Sequence, residues 1–381
     1  MLQIEPETVR GLRALLDDLQ YDTVQHTLRP NYFQWPFPAL EHFLPLLDTL
    51  GERERLTYQV LMLGQPARRA TLEKLWSRPL VDRLLAAGLL EVDASGRVQT
   101  ANYSIVSYLD RYFVVTLNPY YAGSRDPDAS VYVGPDSLTL AASLPFHVPF
   151  ARGIDLCTGS GIQAILAAAT TRDVTAVELN EQAANAARFN VALNGVAERV
   201  HVVTGNLYAA APAGPYDLIL SNPPFLPVPQ GVHHAMCGNG GTDGMVVLRP
   251  LLEGIPERLA EGGMALIYAE GVGDDEGPFV RHLLRDLAHA NGLACQIVVT
   301  SRLSVKSVLV LKAVSMARLK RPSSELVAWR DLYQQLRASQ AYNYLLRITR
   351  GAADVRQLMA FDPRREEQGV EVRPGVVIKP Q

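Results

Sequence analysis

The chain has 381 residues and a mass of 41.8 kDa, with 20% charged, 48% hydrophobic and 7% aromatic residues, ordinary globular usage that excludes disorder and collagen-like repeats. Its 36 Lys and Arg against 39 Asp and Glu leave a formal charge of −3 and a pI near 6.3, so no global basic field draws it to nucleic acid or acidic lipid. Three scattered cysteines, Cys157, Cys237 and Cys295, form no Cys-x-x-Cys pair, which argues against a disulfide framework or a zinc site. No apolar run approaches the roughly 18 residues of a membrane span, and the N-terminal residues do not read as a signal peptide. At about 150 residues per domain the length predicts two domains, and the expected setting is the cytoplasm.

Along the first 150 residues apolar positions recur at three- and four-residue spacing. Examples are Val9, Leu12, Leu15, Leu16 and Leu19, and again the stretch 56–63, which predicts helices. From 71 to 100 two short helices, the second ending near Ala87-Gly88, precede 89–92, an Asp93-Ala94-Ser95-Gly96 turn and 97–99. Two helices and a hairpin are the shape of a winged-helix module, here without a basic face, so DNA binding is not expected.

From Gly153 onward β-branched runs alternate with alanine-rich helical stretches. The pattern predicts strands over 153–157, 174–180, 200–206, 217–221, 264–269, 296–300 and 307–314. Helices are expected over 161–170, 181–193, 243–260 and 278–291. Such alternation predicts a mostly parallel sheet covered on both faces. The last two strand candidates are too close for a crossover helix, so they are expected to pair antiparallel. Beyond Lys320 a helix is expected over 325–349, carrying Trp329, Tyr333 and Tyr342, followed by a loosely ordered tail.

The densest chemical signal is Asp155-Leu156-Cys157-Thr158-Gly159-Ser160-Gly161, a strand running into a glycine turn that opens a helix. Glycines there let a ligand approach the backbone. Glu178, 17 residues beyond Gly161 and near the end of the next strand, is placed to accept hydrogen bonds from a ribose diol. A dinucleotide site fits less well, because position 164 is alanine where GxGxxG has its third glycine. At the end of the fourth strand stands Ser221-Asn222-Pro223-Pro224-Phe225. Two prolines fix φ and remove two backbone donors, so the chain must leave the sheet as a rigid loop. The loop offers the Asn222 side-chain oxygen and the Pro223 carbonyl to a nitrogen that bears hydrogens, with Phe225 free to stack on a flat substrate or face a cation.

In this order and at these gaps, DLCTGSG, VELN and SNPPF resemble the class I S-adenosylmethionine-dependent methyltransferases over roughly residues 130–315, and most of all the branch with an Asn-Pro-Pro-aromatic motif. The resemblance implies a Rossmann-like, mostly parallel seven-stranded α/β sheet with S-adenosyl-L-methionine as cofactor and no metal. Residues 131–318 would form the cofactor domain, preceded by a mainly helical, winged-helix-like cover (1–130) and followed by a C-terminal helix and tail (319–381). It places Asp155, Thr158, Gly159, Ser160 and Gly161 near the methionine moiety, Glu178 on the ribose, Leu179 beside adenine, and Asn206 with Leu207 where the family usually has an aspartate-hydrophobe pair. Cys157 replaces a commoner glycine, and a small side chain there should be tolerable. Asn222, Pro223 and Phe225 are the expected catalytic set, joined by Tyr132 in the segment 131–140, which resembles the one that closes over the cofactor.

His233-His234 could act as a base. The glycine-rich run 237–244 is expected to serve as a mobile substrate lid, and the aromatic clusters at 32–37 and 118–121 could line a pocket. An N-methyltransferase acting on an amine or amide of a small molecule or peptide is the expected function. The alternatives are a cyclase that consumes S-adenosylmethionine to give azetidine-2-carboxylate and methylthioadenosine, and an RNA base methyltransferase. The charge balance counts against the last, and neither a nucleic-acid nor a membrane partner is expected. A release-factor glutamine target fits less well, because residues 1–130 do not resemble that family's small helical bundle.

Overall fold

The structure is a computed structural model that describes residues 1–32, 44–117, 131–360, 370–373 and 376–378. The aromatic clusters at 32–37 and 118–121 lie outside the described side chains. The chain divides into two compact units, Met1–Asn222 with His233–Gly238, and Pro223–Val232 with Asn239–Gln381.

The first unit opens with α1 (Pro6–Asp18), α2 (Tyr21–Tyr32), α3 (Leu44–Leu47) and α4 (Glu52–Leu61). Val9, Leu12, Leu15 and Leu16 are the buried stripe of α1, each stabilising by roughly 1.5–3 kcal/mol if fully removed from water. Next come α5 (Arg69–Trp76), α6 (Arg78–Ala86) and the antiparallel pair β1 (Leu90–Val92) and β2 (Val98–Thr100), the two helices and hairpin expected from sequence. A second hairpin, β3 (Tyr103–Tyr108) and β4 (Arg111–Thr116), was not legible. Its turn residues Leu109 and Asp110 both hold positive φ without the Asn or Gly that announces such a turn.

After α7 (Pro135–Ala142) come β5 (Phe150–Leu156), α8 (Ile162–Ala167), β6 (Thr171–Glu178), α9 (Glu181–Leu193), β7 (Val200–Thr204) and β8 (Tyr216–Ser221). All their strand pairings are parallel: β5 lies between β8 and β6, and β7 pairs with β6. Two buried amides on α9 tie β4 to this layer. Asn190 accepts from Val114 N (2.7 Å) and donates to Val114 O (3.0 Å) and Ser160 O (2.9 Å). Asn194 accepts from Tyr112 N (3.0 Å) and donates to Tyr112 O (2.7 Å).

The second unit holds α10 (Leu248–Arg258), β9 (Leu259–Asp274), β10 (Gly277–Pro278), α11 (Val280–Asn291), β11 (Leu293–Ser304), α12 (Val305–Arg318), α13 (Ser323–Gln335), β12 (Gln340–Arg350) and β13 (Asp354–Met359). β12 runs antiparallel to both β9 and β11, and β13 is parallel to β11. The antiparallel strand expected at 307–314 is absent; β12, inserted between β9 and β11, and the short β10 beside β9 supply the antiparallel pairings instead, and β13 adds a strand within the stretch expected to be a loose tail.

Two expectations fail here. The run 307–314 is helical: the Ser304 hydroxyl caps α12 by accepting from Ser307 N at 3.1 Å. Val305, Val308 and Leu309 then pack at helical spacing on the cluster of Val228, Val272, Trp329 and Tyr333. The expected helix 325–349 stops at Gln335, because Tyr342, Tyr344, Leu346 and Ile348 are buried at every second position, the period of a strand.

Candidate active site

The glycine turn lies between β5 and α8. Cys157, Gly159 and Gly161 all hold left-handed φ, at 59°, 53° and 80°. Cysteine at such a position costs about 1 kcal/mol or more relative to glycine, so tolerance of a small side chain comes with strain. Asp155 is fully buried and braces the turn: the Thr158 hydroxyl donates to it, as does Ala164 N at 3.2 Å, both to Oδ2. Burial pushes its carboxyl up to about 7 against those hydrogen bonds.

That shift carries a sign. A carboxyl whose native pKa lies above its unfolded value binds more protons when folded, so its stability contribution is present below about pH 4 and lost as pH rises through about 7. The cofactor-free Asp155→Asn variant should therefore gain on wild type as pH climbs from 5 to 8. Paired thermal melts check this, and a pH-independent difference in Tm would exclude it.

Glu178 faces the turn. Its Oε2 accepts from Gly159 N at 2.8 Å and its Oε1 from Asn180 N at 2.9 Å, and burial raises its carboxyl above the usual range. Each oxygen keeps a lone pair for a further donor. A Cβ built on Gly159 would meet nothing within 4 Å, so open space lies in front of the turn. Leu179 is 59% exposed, and Gly205 N donates to Glu178 O at 2.8 Å. This brings Asn206, itself exposed, and the short helical turn Leu207–Ala210 to the same carboxyl ends of β5, β6 and β7. Ser160 is buried with an unpartnered hydroxyl among the described residues.

At the end of β8 the Ser221 hydroxyl donates to Leu156 O at 2.7 Å. Asn222 Nδ2 donates to Asp136 Oδ2 at 2.8 Å and Ser137 Oγ at 3.3 Å, while its Oδ1 is buried with no hydrogen-bond partner among the described residues. Tyr132 also hydrogen-bonds the Asp136 carboxyl, which burial raises above its ordinary range. The Tyr132 hydroxyl lies over Gly134, where any Cβ would collide with it. α7 is fixed in turn by Gln163 Nε2 donating to Ser137 O at 2.7 Å. Asp136 and Ser137 were missed in the sequence. The available signal was a carboxylate in the first turn of a helix directly upstream of the glycine turn.

In the second unit Pro223 and Phe225 are buried, and the Phe225 ring packs edge-on to Tyr268 at 5.9 Å. Gly240 and Gly244 lie so close to the Phe225 backbone that Cβ atoms would stand 2.8 and 2.5 Å from its carbonyl atoms. Leu226 O accepts from Gly240 N at 2.9 Å, and Gly241 O accepts from Val228 N at 2.8 Å. The glycines thus serve close packing against the motif, where the sequence suggested a mobile lid. His233 is exposed and His234 lies beside the Ala235 carbonyl. Among the described residues no group of His, Cys, Asp or Glu is arranged to hold a metal ion, and no helix is long and apolar enough to cross a membrane.

The family described as Methyltransferase small domain matches residues 133–267, the span that holds Asp136, the glycine turn, Glu178 and Asn222. That span is a domain of the class I S-adenosylmethionine-dependent methyltransferases. Its Rossmann-like α/β core is the fold of that family. The chain is 38% identical over 126 residues to a ribosomal protein uL3 glutamine methyltransferase of Bordetella pertussis, covering 30% of this chain and 42% of that one. It is 34% identical over 145 residues to a release factor glutamine methyltransferase of Gloeobacter violaceus, covering 35% and 50%. The match thus spans half or less of these relatives' own length. Among solved structures, a tRNA m1G37 methyltransferase of Methanocaldococcus jannaschii covers 67% of this chain and 60% of its own at 13% identity, with a TM-score of 0.37.

The cofactor of this family is S-adenosylmethionine, and the residues present fit it. The open space before Gly159 admits a ligand against the backbone, the Glu178 oxygens are held by main-chain donors within reach of that space, and Leu179 offers an exposed apolar surface.

Proposed function

We propose that this protein methylates an amide nitrogen, and that the acceptor is a glutamine side chain of a protein. The observation that carries the reading is the state of Asn222. Its Nδ2 is committed to Asp136 and Ser137, which leaves the side-chain oxygen buried, without a partner among the described residues and able to accept from an incoming N–H. A buried acceptor without a donor costs about 1–3 kcal/mol, which a primary amide would relieve by donating one hydrogen to Asn222 Oδ1 and the other to the carbonyl of Pro223, next in the chain.

An amide nitrogen is a weak nucleophile, because its lone pair is delocalised into the carbonyl. Accepting both hydrogens enriches the nitrogen and turns its lone pair toward the methyl group. The cofactor supplies an already activated methyl on a sulfonium; the chain supplies alignment, the source of much of the rate in such transfers. In this reading Glu178 holds the ribose, Leu179 and the turn at Asn206-Leu207 flank the adenine, and Asp155 with Thr158, Ser160 and Gly161 shapes the cradle of the methionine moiety. Tyr132 acts on Asp136, and residues 1–130 form the substrate cover. The glutamine-methylating relatives support this acceptor class. The cyclase alternative finds no support among them.

The test incubates the purified protein, methyl-labelled S-adenosylmethionine, and ribosomal proteins and release factors prepared from cells lacking this gene. Mass spectrometry then locates the label. N-methylated glutamine is expected, whereas label in nucleic acid, or methylthioadenosine formed without acceptor, would overturn the reading. Asp136→Asn provides a second check. An amide at 136 no longer fixes the orientation of Asn222, so kcat should fall about tenfold, the scale of losing an orienting partner, with cofactor affinity unchanged. An unaltered kcat would remove Asp136 from the site.

A further inference from the structure

A cavity of about 490 Å³ opens at the amino ends of β5 and β6, with Phe146, Phe150, Thr171, Arg172 and Arg199 in its wall. All of its lining belongs to the first unit. Phe150 and Thr171 open their strands and pair with each other, whereas the glycine turn and Glu178 stand at the opposite ends. β5 runs from Phe150 to Leu156, and at about 3.3 Å per residue its length puts about 20 Å between this space and the cofactor cradle.

The charged side chains of the wall are all basic: His147, Arg172 and Arg199. All three are exposed, and none has a carboxylate partner among the described residues. Asp173, next along β6, lies outside the lining and faces His201 Nε2 at 3.4 Å. Arg199 is held at both ends: its carbonyl accepts from Val174 N at 2.8 Å, and its Nη1 donates to Ala168 O at 2.8 Å, which leaves Nε and Nη2 to donate elsewhere. Thr171 is only 1% exposed, and its hydroxyl is buried without a partner among the described residues. Its methyl is turned to β5, 3.0 Å from where a Cβ on Gly153 would stand, so the hydroxyl takes the other branch. A buried hydroxyl in a cavity wall is a cost that a bound polar group removes.

Beside these donors stand the Phe146 ring, 40% exposed, and the ring of Phe150. Two successive turns present Phe146, with Phe146 N donating to Leu144 O at 2.9 Å and Val148 N to Pro145 O at 3.0 Å. Two guanidinium groups suit a phosphate, which accepts bidentate bonds from arginine, and ring walls suit a flat body. The volume exceeds that of a phosphate alone and falls in the range of roughly 300–1,000 Å³ typical of small-ligand sites. We infer that this cavity binds a phosphate ester carried on a flat ring, the chemistry of a nucleotide, at a site separate from methyl transfer. The inference stands independently of the acceptor amide.

The probe is phenyl phosphate, titrated into the full chain and followed by NMR, with benzyl alcohol and benzylammonium as neutral and cationic controls. Phenyl phosphate should bind saturably, with contacts from its ring protons to the Phe146 ring, and about tenfold or more tightly than either control. Excess S-adenosylmethionine should leave it bound. Arg172→Ala should weaken binding about five- to tenfold; because Arg172 is exposed and without an ion pair among the described residues, the fold is not at stake. Thr171→Val keeps the shape, removes the hydroxyl and should weaken binding about threefold. Absent saturable binding, displacement by S-adenosylmethionine, equal binding of a control, or an unchanged affinity in Arg172→Ala would overturn the inference. Uridine monophosphate and a short oligouridylate without terminal phosphates identify the source. Displacement of phenyl phosphate by the first assigns the site to a free nucleotide and by the second to a strand, and displacement by neither overturns the inference.

Discussion

Asn222→Ala is expected to lower kcat by about 10²- to 10³-fold, the scale of removing one preorganised polar group from a reacting centre, while the Kd for S-adenosylmethionine changes by less than about threefold. The asymmetry follows from where Asn222 makes its bonds. Its contacts are to Asp136 and Ser137, whereas the turn and Glu178 that fit the cofactor bond to one another. Removing the side chain therefore deletes the acceptor of the amide hydrogen and leaves the cofactor cradle in place. Asn222→Asp should be as damaging, because it sets a second carboxyl against the Asp136 carboxyl and removes the amide donor between them. Single-turnover methyl transfer and equilibrium cofactor binding separate the two quantities, and a wild-type kcat in either variant would take Asn222 out of the reaction.

The largest effect on stability is expected at Asn190. Asn190→Ala leaves Val114 N, Val114 O and Ser160 O buried without their side-chain partner. At about 1–3 kcal/mol for each stranded group, with partial relaxation, the loss should be about 3–5 kcal/mol, a large fraction of the 5–15 kcal/mol of a typical domain. Because Ser160 belongs to the glycine turn, cofactor affinity should fall as well. Urea unfolding of the first unit's signal checks the first claim, and a loss below about 1 kcal/mol would show that the contact is dispensable. Asn190→Ala combined with Asn194→Ala should be less than additive, since both side chains hold the same strand, β4, through Val114 and Tyr112.

The parts of the site that were legible in the sequence are those that announce themselves locally. Gly159 and Gly161 stand at positive φ in the turn where glycine was read as necessary, and Glu178 lies at the end of the following strand. Asn222 was legible because two prolines after a β-branched run leave few local structures open. Asp136 was not, because its partner is 86 residues away and a carboxylate in the first turn of a helix does not by itself say which amide it will orient. β12 was hidden by a misjudged period: the alternation of Tyr342, Tyr344, Leu346 and Ile348 was absorbed into the helical signal of Trp329 and Tyr333 just before it. The run 307–314 failed the other way, since β-branched residues favour strands only as a weak prior, and the Ser304 cap with the packing of Val305, Val308 and Leu309 decided for a helix.

The two asparagines of α9 also bear on how the N-terminal hairpin keeps its register. Positions four apart on a helix are about 6 Å apart along its axis, and positions two apart on a strand about 6.6–6.8 Å. Asn190 and Asn194 can therefore meet Val114 and Tyr112 together, each side-chain amide presenting the donor and acceptor that a neighbouring strand would present. The outer edge of β4 is thus closed by a helix imitating a strand, and a slip of one residue would lose both pairs at once. A fragment that ends before α9 would leave that edge open, with Tyr112 and Val114 offering their backbone groups to any other chain, the condition under which strands associate.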